Sequence, residues 1–177
     1  MTVVYKLPFQ KTESEAVWPH FFSNVHEKHG FSGSVGSDAE TAAIKNLTTK
    51  YNPTFTVDCS ESPLMQMMGI DLILKMDTHF MTIDVKGGRS GLYYDTRNQE
   101  WFITFTDEYF FTMKENRFFM HQSIKGDFFC IYDKHIMYNW LEGKRHLTGL
   151  LNPRSLENTT QYKLYRRHWP DFLEHNL

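Results

Sequence analysis

Two β-rich runs, Gly69-Ile70-Asp71-Leu72-Ile73-Leu74 and Phe80-Met81-Thr82-Ile83-Asp84-Val85-Lys86, are separated only by the short polar segment Lys75 to His79. Two such runs joined by so short a connection predict an antiparallel hairpin. A hairpin with an apolar face is not stable alone and buries that face under further strands or a helix.

The flanking sequence supplies both. Ser37 predicts a helix start, with Ser37 as N-cap, Asp38 in the first turn and Glu40 three residues after the cap as a capping box. Ala42, Ala43, Ile44 and Leu47 form its apolar stripe, and Asn52-Pro53 ends it near Tyr51. The preceding Gly30-Phe31-Ser32-Gly33-Ser34-Val35-Gly36 reads as a flexible loop. Thr54 to Cys59 alternates in the period-two pattern of a half-buried strand. Further strands are predicted near Trp101–Thr106 and Asp127–Tyr132, followed by a helix from about Asp133 with Ile136, Met137, Trp140 and Leu141 on one side. Glu108 to Gln122 has no assignable pattern. At 177 residues the chain is expected to form a single domain spanning 1–177, an α/β fold with a mixed central sheet flanked by helices.

The ionisable residues inside the hairpin carry the chemistry. Asp71 lies between Ile70 and Leu72, and Asp84 between Ile83 and Val85. Aspartate is depleted in strands and costly to bury uncompensated, and two of them on adjacent strands repel each other. A divalent cation would resolve both costs, and oxygen-only ligation favours a hard ion, Mg2+ or Mn2+. Lys86, two residues after Asp84, points to the same face of its strand. Beside a metal-bound water, its ammonium could orient the attack and stabilise charge developing on a phosphate. Gly87-Gly88, followed by Arg89, leaves the backbone open for a nucleic-acid strand to approach.

The net charge of -2 announces no polyanion partner, yet the charge is uneven. From Lys134 to Trp169 seven cations (Lys134, Lys144, Arg145, Arg154, Lys163, Arg166, Arg167) face two anions (Glu142, Glu157), a net of +5 and a candidate phosphate-contacting segment. Cys59 and Cys130 each sit in an apolar stretch and read as buried reduced thiols, which points to a reducing compartment. With neither a leader-like N-terminus nor an apolar run of membrane-spanning length, the expectation is a cytoplasmic protein that does not enter a membrane. His26 and His29 lack partners at zinc-site spacing.

A glutamate in the first helix, an aspartate at the start of the second core strand and Asp-x-Lys in the third resemble the PD-(D/E)XK nuclease superfamily, which includes restriction endonucleases and Holliday-junction resolvases. Here these are Glu40, Asp71 and Asp84-Val85-Lys86, with twelve residues between the aspartates. The resemblance covers roughly residues 37 to 90 and implies a restriction-endonuclease-like core. It implies that Asp71, Asp84 and the Val85 carbonyl bind the metal, that Lys86 positions the water, and that Glu40 acts through a second metal or a water. It further implies a Mg2+-dependent nuclease whose substrate is nucleic acid, DNA first, and it admits pairing of two copies into a homodimer. The chain departs from the pattern in having Ile70 where the family commonly has proline, and Asp84 where it commonly has glutamate.

The same residues admit plainer readings. Asp71 and Asp84 could be ordinary ion-pair partners of Lys86 or Lys75, and Glu40 could serve only its own helix, with Glu15 or Glu27 in its place. Asp58 and Asp77 read as surface and turn residues, and Tyr93, Tyr94 and Trp101 as packing or as base-stacking groups. Two rival functions remain: a catalytically silent nucleic-acid-binding module, and an RNA endonuclease using the same site.

Overall fold

The structure is a computed structural model and describes residues 3–6, 33–87, 91–106, 114–123, 127–144, 154–156, 159–173 and 175–176. Strands β1 (Val3–Lys6), β2 (Phe55–Asp58), β3 (Leu72–Lys75), β4 (Phe80–Lys86), β7 (Phe118–Gln122), β8 (Phe128–Asp133) and β11 (His175–Asn176) form a seven-stranded sheet in that order. The β1/β2 and β4/β7 pairs are parallel and the others antiparallel, so the sheet is mixed. A second, antiparallel sheet has the order β5 (Leu92–Asp95), β6 (Glu100–Thr106), β10 (Thr159–Tyr165), β9 (Arg154–Leu156).

The β3–β4 hairpin forms as its composition requires, pairing Leu72 with Ile83 and Leu74 with Met81. These four side chains face helix α1 (Gly33–Tyr51), whose Ala43 and Leu47 are fully buried against them. On the opposite face, Phe119, Cys130 and Tyr132 share a core with Leu92, Ile103, Phe105 and Leu164 of the second sheet and with Met137 and Leu141 of α3 (Lys134–Glu142). The central sheet is thus covered on both sides, which gives β7 and β8 nearly continuous burial. Both cysteines are free and buried. Among the described residues, no helix is long and apolar enough to cross a membrane.

Several expectations change. Helix α1 begins at Gly33, so Ser37 is not its N-cap, Glu40 is not a capping-box residue, and the Gly/Ser stretch from Gly33 onward is helical. Once nucleated by the strong downstream segment, a helix extends over weak formers at little cost per residue. Its end is as read: Asn52 takes a left-handed φ of 45° before Pro53, with its N–H donating to the Thr48 carbonyl. In α3 the Asp133 carboxylate caps the His135 and Ile136 amides, but Ile136 is exposed, because the helix turns Met137 and Leu141 inward. Glu108–Gln122, unassigned above, contains β7, the strand beside β4. A short helix, α2 (Pro63–Met67), also escaped the reading.

Candidate active site

Asp71 and Asp84 meet at the end of the hairpin. Just beyond the Leu72–Ile83 pair, Asp71 stands close enough to Asp84 for its charge to be felt, while Asp84, paired with Phe119 of β7, is on the side of the sheet away from α1. There the ladder departs from its register: the Asp71 N–H donates to Ile83 O at 2.9 Å, and the Asp71 side chain takes over the next amide, with Val85 N donating to Oδ2 at 2.7 Å. Gln66 of α2 donates from Nε2 to the other oxygen, Oδ1, at 2.8 Å. The Asp71 backbone carbonyl accepts from Cys59 N, fixing the residue to β2 as well. A flexible side chain is therefore held at both oxygens and both backbone groups.

Asp84 is almost fully buried and carries an ammonium on each oxygen: Lys86 Nζ lies 2.6 Å from Oδ1 and Lys114 Nζ lies 3.3 Å from Oδ2. The Lys86 ammonium also stands 5.8 Å from the centroid of the Phe119 ring, on the face that Asp84 shares with Phe119. The plainer ion-pair reading is thus realised between Asp84 and Lys86, whereas Lys75 turns away to the Met76 and Asp77 carbonyls.

The lysines do not offset the cost of charging Asp71 in a buried position. Burial, then the charge of Asp84, pushes the Asp71 carboxyl up to about 6, against the opposing pull of Lys86 and of the Val85 and Gln66 hydrogen bonds. Glu40, reaching in from α1, is pushed up to about 8 by burial and then by Asp71 and Asp58, despite a hydrogen bond with Ser60. Asp71 ionises first, and its charge then holds the proton on Glu40. Three carboxyl groups linked in this way report an excess of negative potential that a cation would relieve.

The donor chemistry therefore fits a hard divalent ion, with carboxylate oxygens from Asp71 and Asp84 and Glu40 beside Asp71. Their arrangement is a pair bridged by lysines and not a closed cage: among the described residues, no group of three or more His, Cys, Asp or Glu is placed to hold a metal ion. Metal entry would require a shift at Asp84.

Other sequence-derived site residues are placed differently. Gly87 has a structural reason to lack a side chain, since a Cβ there would fall 2.3 Å from Ala39 Cβ on α1; the open side is taken by the helix. Gly88, Arg89 and Arg145 lie outside the described residues, as do Glu15 and Glu27. The basic segment is not one strip of available cations. Lys134 is buried and donates to Lys114 O at 2.8 Å, Lys163 pairs with Asp95, and Arg167 is bonded to Glu100 through both its guanidinium and its backbone N–H. Arg166 lies 5.0 Å from the centre of the Phe128 ring, and Lys144 is half-buried after α3. Tyr94 packs edge-on against Trp101, and Tyr93 stacks on Phe102.

Reading the sequence missed Gln66, Lys114 and the part played by Asp58, and it took Lys134 for a phosphate contact where its ammonium is buried on the Lys114 carbonyl. Ser62-Pro63 is a legible helix start that would have placed Gln66 one turn in. Lys114 has no local signal, because it reaches Asp84 only through the sheet order.

No family model matches the chain, and no curated protein matches it. Among solved structures it is similar to D212, a nuclease from a fusselovirus, at 12% identity over 93% of this chain and 89% of that chain, with a TM-score of 0.41. At that level the likeness establishes no activity for this chain, and the site rests on its own geometry.

Proposed function

We propose that the chain is a Mg2+-dependent nuclease of the PD-(D/E)XK type that hydrolyses phosphodiester bonds in DNA, with residues 1–177 acting as one unit. The observation that carries the reading is the approach of Asp71 to Asp84 at the end of the β3–β4 hairpin, with Lys86 bonded to Asp84. Structural ion pairs alone give no reason to bury two aspartates where each raises the cost of the other.

In this reading Asp71, Asp84 and the Val85 carbonyl would hold Mg2+ or Mn2+. When bound, such an ion lowers the pKa of a coordinated water and polarises a phosphoryl oxygen. Lys86 orients the water and offsets charge on the phosphate as the P–O bond breaks. Glu40, which retains its proton to about pH 8, exchanges protons with water beside Asp71. Gln66 and the Val85 N–H hold the Asp71 carboxylate in a single orientation. Lys144, Arg145, Arg166 and Arg167 would serve as phosphate contacts, Arg167 sharing its charge with Glu100.

A second reading, a non-catalytic nucleic-acid-binding module of the same fold, is favoured by the two ammonium groups that cover Asp84. One experiment separates them: incubation with linear duplex, single-stranded and branched DNA, and with RNA, in Mg2+ and in EDTA. Cleavage of DNA that EDTA abolishes supports the proposal. Binding without turnover on every substrate favours the silent module, and turnover confined to RNA would reassign the substrate.

A further inference from the structure

We propose that Lys114 is a built-in counter-ion of the metal site: its ammonium occupies Asp84 while no divalent cation is bound, and withdraws toward the substrate phosphate when one arrives. The inference rests on the metal-dependent reading above.

Asp84 carries two lysines, and they are not equivalent. Lys86 is two residues along the same strand, contacts Oδ1 at 2.6 Å and has a side chain 17% exposed. Lys114 comes from outside the strand, contacts Oδ2 at 3.3 Å and is 35% exposed. The longer, wetter contact is the weaker of the two and the easier to exchange.

The root of Lys114 is nonetheless fixed. Its carbonyl accepts from the buried Lys134 ammonium at 2.8 Å, and the next amide, Glu115 N, donates to Met68 O at 2.8 Å. Its stem runs over Gly69, where a Cβ would fall 2.6 Å from Lys114 Cδ and 2.9 Å from Cγ. Gly69, at φ +67°, both makes the turn into β3 and clears the channel for the lysine. The arm is thus anchored at its base, guided along its stem and held at its tip only by the 3.3 Å contact with Asp84.

Charge decides when the tip moves. Two ionised aspartates and two lysines balance. A divalent cation between the aspartates adds two positive charges to that balance and repels both ammonium groups, and the more loosely held one, Lys114, leaves. Because its root stays in place, the released ammonium remains beside the site, where a phosphate would receive it.

The test is Mn2+ binding by calorimetry without nucleic acid. Lys114→Met removes the competing cation and is expected to bind Mn2+ about fivefold to tenfold more tightly than the unaltered chain, a coupling of ordinary size. Lys114→Arg, which keeps the charge, is expected to stay near the unaltered affinity. Lys114→Gln gives a second neutral variant should the Met variant fold poorly, with melting in EDTA confirming the fold of each. Equal or weaker Mn2+ affinity in the folded neutral variants would overturn the counter-ion role while leaving the metal site standing. Absence of Mn2+ binding in every form, the unaltered chain included, would overturn both.

Discussion

Asp71→Asn is expected to stabilise the metal-free protein at neutral pH, the opposite of what replacing a buried, doubly hydrogen-bonded residue usually does. The Asp71 carboxyl is pushed from its ordinary 3.8 to about 6, chiefly by burial and by Asp84. At about 1.4 kcal/mol per tenfold change in proton affinity, that displacement corresponds to roughly 3 kcal/mol of penalty for keeping the charge in the fold. The folded chain holds this proton more tightly than the unfolded chain. The stabilisation is therefore fully present below about pH 4 and is lost as pH rises from there to about 6. Asparagine removes the charge and retains the geometry: its oxygen accepts from Val85 N, and the Gln66 amide can turn to accept from its nitrogen. At pH 7.5 in EDTA the variant is expected to be about 2–3 kcal/mol more stable, raising Tm by about 5–10 °C for a chain of this size. At pH 4 the two are expected to melt alike. Mg2+ is expected to raise the Tm of the unaltered chain and leave that of the variant unchanged. A variant that melts below the unaltered chain at pH 7.5, or a Tm difference that does not change with pH, would refute the reasoning.

Three further outcomes test other parts of the structure. Asp84→Asn is expected to abolish cleavage and Mn2+ binding while DNA binding is kept or tightened; Lys86→Ala is expected to abolish cleavage with Mn2+ binding intact, and wild-type cleavage by both would show the site to be wrong. Gly87→Ala is expected to cost about 1–3 kcal/mol in urea unfolding through its clash with Ala39, and much less in an Ala39→Gly background, where the helical glycine has its own cost of about 1 kcal/mol. Neutralising Lys144, Arg145, Arg166 and Arg167 together is expected to weaken binding equally across DNA sequences and to flatten its salt dependence; an unchanged slope would make them a solvated face.

The β3–β4 hairpin and its two aspartates were legible in the sequence because strand propensity, a short connection and alternation are local properties, and a hairpin with Leu72 opposite Ile83 brings Asp71 and Asp84 to the same end. The end of α1 at Asn52-Pro53 and the cap of α3 at Asp133 were readable for the same reason. Strand β7 was not, since a strand covered on both faces shows no alternation and its partner β4 lies far back in the chain. Whatever depends on β7 and the segment leading into it was hidden with it, above all the Lys114 ammonium on Asp84 and the Lys134 ammonium behind it. Tertiary structure also decided which cations are already paired, leaving Lys163 with Asp95 and Arg167 with Glu100, and why Gly87 is glycine. The carboxylates could be named from the chain because burying them is a local anomaly. Lys86, two residues from Asp84, could be named with them, but the second charge, Lys114, arrives from a distant segment that only the order of the strands brings to the site.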